Sequence, residues 1–204
     1  MSFFIRNILK VALIMAALGF SVGCDKASKN ETRFANTDIT GADFARDFVL
    51  TSHRGERVSL GDFKSKVVIL FFGFMHCPDI CPTTLTELNS VMEKLGNDAQ
   101  NVQVLFVTVD PERDKLDNIG SYMEVFNPNF LGLWGTLDEI ETVAKEFKVI
   151  YQKVPGSTPD NYSVDHSAGT YIFDKSGRVR LFVTYGADTE ALTNDVRMLV
   201  NEDL

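Results

Sequence analysis

The sequence predicts an α/β domain: a mixed sheet with helices on both faces and a β-hairpin extension at its N-terminal end. Three observations lead there. Val67–Gly73 (VVILFFG) and Val102–Val109 (VQVLFVTV) are nearly unbroken apolar runs of strand length, the pattern of strands buried on both faces. Between them Leu85, Leu88, Val91, Met92 and Leu95 recur at helical spacing, so the unit reads strand–helix–strand. Late in the chain Thr170–Asp174 (TYIFD) and Val179–Tyr185 (VRLFVTY) flank Lys175-Ser176-Gly177, the mark of a hairpin.

The first residues belong to none of this. Arg6 and Lys10 give a positive start, Val11–Phe20 (VALIMAALGF) is apolar throughout, and small residues lead into Cys24 (SVGC). Charged, apolar and small-residue regions in that order read as an export signal over residues 1–23. The Gly-Cys ending resembles a bacterial lipoprotein box, in which the cysteine is lipidated and becomes the new first residue. Ser21 stands where such boxes usually carry Leu. The alternative is an uncleaved signal anchor, since the apolar stretch with its flanks is only slightly short for a span. Asp25 resembles the signal that keeps Gram-negative lipoproteins in the inner membrane. Residues 24–38 then read as a polar tether and 39–204 as one folded domain facing the periplasm, where disulfides can persist. The formal charge of −8 argues against nucleic acid, which needs a basic face.

Within the domain, Phe44–Leu60 (FARDFVLTSHRGERVSL) reads as two short strands around the Arg54-Gly55 turn. The helix over Thr83–Leu95 ends at Gly96-Asn97, and Asp110-Pro111 closes the second core strand. Leu116–Phe126 and Asp138–Phe147 read as helices, Val149–Val154 as extended chain, and Ala187–Val200 as a closing amphipathic helix. That order fits a thioredoxin-like fold, which places a reactive pair after the first core strand at the start of the next helix.

Such a pair is present. In Phe71–Leu85 (FFGFMHCPDICPTTL), Cys77 and Cys81 stand four apart, each followed by proline. That spacing puts two sulfurs on one helical face. Pro78 and Pro82 are tolerated in a first turn. Free amides and the helix dipole there favour thiolate, the form that binds metal and attacks disulfides. A structural staple is the bland alternative, weakened because so short a loop restrains little unfolded-chain entropy. The wider CxxxC spacing suits two thiolates holding one ion, and a third donor is then needed. Of three histidines, His53 reads as a solvated turn residue and His76, directly before Cys77, as a surface or supporting residue. His166, in YSVDHSAGTYIFD, enters a core strand and so can return to the cysteine end of the sheet. Sulfur, sulfur and imidazole form a soft set that suits copper, Cu(I) most easily; closed zinc sites normally show four ligands.

FFGFMHCPDICPTTL, VTVDPERDKLDNIGSYMEVFNPNF and YSVDHSAGTYIFDKSGRVR together resemble, in order and spacing, the Sco/SenC proteins, from about Ile39 to the C-terminus. The resemblance implies a thioredoxin-like, membrane-anchored domain that binds copper as Cu(I) and Cu(II) and assists assembly of the copper A centre of cytochrome c oxidase. It implies Cys77, Cys81 and His166 as copper ligands, with Asp165 just behind them. It implies as partners the copper-bearing oxidase subunit and possible copper carriers or thioredoxin-like reductants. Met75 and Trp134 stand where many members carry Thr. The alternative function is a thiol–disulfide oxidoreductase working through Cys77 and Cys81, which needs no histidine. A peroxidase is disfavoured by Met75, where that class resembles a Thr. Asp110–Asp114 (DPERD) reads either as a strand-to-helix turn or as a partner-facing acidic loop.

Overall fold

A computed structural model of the chain describes residues 33–158, 161–167 and 169–203. The expected export signal, Cys24 and most of the tether lie outside those residues. The described strands are β1 (Thr37–Asp38), β2 (Val49–Ser52), β3 (Arg57–Ser59), β4 (Val67–Gly73), β5 (Val102–Thr108), β6 (Leu131–Trp134), β7 (Tyr151–Thr158), β8 (Asn161–His166), β9 (Gly169–Phe173) and β10 (Val179–Thr184). The α-helices are α1 (Ile80–Leu95), α2 (Leu116–Phe126), α3 (Leu137–Glu146) and α4 (Thr189–Val200).

Eight strands form one sheet in the order β1-β10-β9-β4-β5-β6-β2-β3. β4, β5 and β6 run parallel, and β9 and β2 join them antiparallel. All seven residues of β4 are buried, as its apolar run requires. Alternation along the strands then sorts side chains between two layers. Phe71 and Phe106 face one side, where Tyr122 of α2 packs on Phe106. Phe72 and Tyr171 face the other, where Phe147 at the end of α3 meets both rings edge-on. Each of these large buried side chains stabilises the fold by about 1.5–3 kcal/mol. The mixed sheet with helices on both faces and the N-terminal β2–β3 hairpin are therefore as the sequence predicts.

Two boundaries differ. The domain begins before residue 39: Phe34 is buried in the core, and the Ala35 and Asn36 amides donate to the buried Asp195 carboxylate of α4 at 2.9 Å each. β1 pairs with β10. Residues 34–38 thus belong to the fold rather than to a tether; their polarity hid a pairing that only α4 and β10 supply. Second, Val149–Val154 is not merely extended. β7 and β8 form a separate antiparallel hairpin, with Tyr151 opposite His166. Most of β7 is exposed, so it lacks the alternation that marks a strand in sequence.

His53 also departs from the solvated turn expected of it. The Gly132 amide donates to its Nδ1 at 3.0 Å, and its own amide donates to the Gly132 carbonyl at 2.8 Å. The ring packs over Gly120 of α2, so it joins the hairpin extension to β6 and α2. Among the described residues no helix is long and apolar enough to cross a membrane.

Candidate metal centre

β4 delivers the chain to the end of the sheet, and Phe74 to Asp79 turn it into α1. The helix starts at Ile80 with Asp79 as N-cap, three residues earlier than its apolar period shows. Cys81 therefore lies inside the first turn and Cys77 before the helix. The two sulfurs do not stack on one helical face as the spacing predicts. A bend, closed by the Cys77 amide on the Phe74 carbonyl at 3.2 Å, brings the Cys77 sulfur over the helix start instead. There the Cys81 amide donates to Cys77 Sγ at 3.4 Å, one free first-turn amide pointing at a sulfur.

Both cysteines are free thiols, Cys77 half-buried and Cys81 fully buried. Burial pushes the Cys81 thiol well above the ordinary cysteine range, and the neighbouring Cys77 adds to the effect. The lowering expected from the helix terminus is overridden there, because desolvation penalises the anion more than one turn of dipole favours it.

The other wall comes from β8. His166 Nε2 stands 3.7 Å from Cys81 Sγ, although 85 residues separate them. The rings of Phe71 and Phe74 meet the imidazole edge-on at centroid distances of 6.4 and 5.9 Å. Its Nδ1 lies 3.1 Å from the Ser167 carbonyl. A carbonyl only accepts, so Nδ1 carries the proton and Nε2 turns a lone pair toward the sulfur. Burial lowers the imidazole's pKa, keeping it neutral at pH 7, while the Ser167 contact and the Asp165 charge act the other way. Asp165 itself is exposed, on the outward face of β8, and touches the centre only through that charge. The supporting contact expected of its side chain is made by the Ser167 backbone. Two thiols and a neutral Nε2 are a donor set that fits copper. Among the described residues no three His, Cys, Asp or Glu side chains converge closely enough to hold an ion as they stand.

Four further residues shape the site and its surroundings. A Cβ at Gly73 would lie 2.9 Å from both the Phe71 and Phe106 rings and 3.0 Å from Cys81 Sγ, so glycine there makes room for the sulfur. Asp114, fully buried, accepts the Met75 amide at 3.0 Å and the Thr108 hydroxyl at 2.6 Å, which fixes the loop leading to Cys77. His76 Nδ1 approaches the same carboxylate at 3.6 Å while its ring stays largely exposed, in keeping with a supporting place. Trp134 donates its indole N–H to the Pro111 carbonyl at 3.1 Å. Gly73 carried no signal in the sequence, because its use lies in neighbours from β5 and α1. Asp114 carried one: the DPERD string, read as a strand-to-helix turn or an acidic loop facing a partner. The turn is present, and its end acids are buried acceptors.

A family model described as SCO1/SenC matches residues 36–201. The chain is 34% identical over 196 residues to the mitochondrial protein SCO2 homolog of Bos taurus, covering 94% of this chain and 74% of that protein. The apo Sco1 protein from Thermus thermophilus is 40% identical with a TM-score of 0.73, covering 81% of this chain and 96% of that one. The structure of Bradyrhizobium japonicum ScoI with copper bound is 35% identical with a TM-score of 0.70, covering 75% and 97%.

Proposed function

The chain belongs to the SCO1/SenC family, and from that membership we propose that it is a copper chaperone whose cargo ion is held by Cys77, Cys81 and His166. The observation that carries this is the approach of His166 Nε2 to Cys81 Sγ at 3.7 Å, inside a wall of Phe71 and Phe74. Two sulfurs satisfy Cu(I); the imidazole extends the site to Cu(II), which prefers more donors including nitrogen. Cys77, half-exposed and outside the helix, turns toward the Cys81–His166 pair to complete the set. Cys81 loses its proton as the cation arrives, so loading releases protons and depends on pH.

The proposed setting is a domain held to the inner membrane through Cys24 or a signal anchor and facing the periplasm. Its client is the copper-bearing subunit of cytochrome c oxidase, at whose copper A centre it assists assembly. Other copper carriers or thioredoxin-like reductants would load and reduce it. The alternative, a thiol–disulfide oxidoreductase, uses the same cysteines but has no need of the imidazole that stands 3.7 Å from Cys81 Sγ.

His166→Ala separates the two. Copper delivery to the oxidase falls steeply and the Cu(II) spectrum changes, while Cu(I) stays bound by two thiolates and reduction of a model disulfide persists. A wild-type Cu(II) spectrum in His166→Ala would remove the histidine from the site.

A further inference from the structure

We propose that the loop Asp110–Asp114 is a clasp joining the cysteine loop to the β7–β8 hairpin, with Arg113 and Tyr162 as positioning residues for His166. The hairpin needs such a device. It is a sheet of its own, and almost all of β7 is exposed. Its base is held where Ile150 and Ser167 exchange hydrogen bonds. Along β8, Tyr162, Val164 and His166 alternate onto the inward face, while Asn161, Ser163 and Asp165 face out.

Tyr162 is where the loop grips. Its hydroxyl donates to Asp110 Oδ1 at 2.7 Å, and its carbonyl accepts from Arg113 Nη1 at 2.8 Å. Two cations meet the ring, the Arg113 guanidinium 3.6 Å from its centroid and the Lys153 ammonium at 4.7 Å. Arg113 Nε closes the circuit on Asp110 Oδ2 at 2.5 Å, and Lys153 of β7 pairs with Glu112. On its other side the same loop holds the Met75 amide through Asp114, two residues before Cys77. Asp110 and Asp114 are 1% and 0% exposed, so these contacts are shielded from water and stronger than surface pairs. The loop is itself braced, since Trp134 and Lys115 both donate to the Pro111 carbonyl. One five-residue segment therefore touches both chain segments that meet at the site. Tyr162 and His166 share a face of one strand, so freeing the first lets the second swing away from Cys81.

The consequence for copper rests on His166 being a ligand, and the test keeps the two apart. Tyr162→Leu removes the hydroxyl and both cation contacts but keeps apolar bulk. Arg113→Lys keeps the charge and loses the planar fork. In the metal-free full chain, amide hydrogen exchange of residues 151–158 and 161–166 should quicken about tenfold in either variant, with β4 and β5 unchanged. Cu(II) affinity should fall roughly 10–100-fold, as for other contacts that orient a ligand, while Cu(I) affinity moves less than about threefold. Unchanged hairpin exchange in both folded variants overturns the clasp, whatever copper does. Faster exchange with unaltered Cu(II) affinity, where His166→Ala lowers it, overturns the positioning role. If His166→Ala leaves Cu(II) binding intact as well, the ligand assignment falls, and the exchange result alone decides the clasp.

Discussion

Gly73→Ala is the sharpest test of how tightly the cysteine site is packed. Two effects of opposite sign meet at this position. The backbone at Gly73 is ordinary strand, absent from the positive-φ residues, so alanine would lower the entropy of the unfolded chain and stabilise by about 0.4–1 kcal/mol if space allowed. Space does not allow it. The added methyl would stand 2.9 Å from the Phe71 and Phe106 rings and 3.0 Å from Cys81 Sγ, well inside contact distance. Both rings are fully buried and the sulfur sits in the first turn of α1, so no neighbour is the free end of a flexible chain. Overpacking of this kind costs typically 1–3 kcal/mol and wins over the entropic gain. The net is about 1–2 kcal/mol of destabilisation, which lowers Tm by roughly 2–8 °C in a domain of this size. The displaced sulfur should also weaken Cu(I) binding, more than His166→Ala does. Calorimetry of the reduced, metal-free protein and a Cu(I) competition titration read the two effects. A Tm at or above that of the parent would refute the packing account, since entropy alone would then govern the site.

Two other perturbations follow from contacts away from the cysteines. Burial, with Arg54 nearby, holds His53 below the ordinary histidine pKa, and its Nδ1 must stay unprotonated to accept the Gly132 amide. The unfolded chain therefore binds more protons: stability is fully present above about pH 6.5 and is lost as pH falls through the depressed folded value. His53→Asn keeps an acceptor and should flatten that part of the urea-midpoint-against-pH curve; an unchanged slope would assign it elsewhere. Asp195→Asn weakens the grip on the Ala35 and Asn36 amides, charge-assisted bonds worth about 1.5–3 kcal/mol each. Amide exchange at 35–38 should quicken well before that of β9; protection unchanged there would return residues 34–38 to the tether.

The residues that write the fold into the sequence are those whose neighbours are local or whose burial is complete. β4 and β5 show as apolar runs because a strand covered on both faces has no polar side to interrupt it. Cys77 and Cys81 were legible as a pair by spacing, and His166 by its place before β9 and by its motif. What the sequence by itself could not determine depends on partners far along the chain. Phe34–Asp38 reads as polar linker until Asp195 and β10 are beside it. β7 and β8 are strands only because each pairs with the other, and the hairpin's exposed surface leaves no period. The ionisation of Cys81 follows the same rule: the helix terminus is local and visible, whereas the burial that raises its thiol comes from tertiary neighbours, with His166 3.7 Å from its sulfur. Which face His166 turns to Cys81, and the role of DPERD in bracing both sides, were decided by tertiary structure. Side-chain periodicity records burial, but convergence across 85 residues is set by how the sheet and its outlying hairpin are held together.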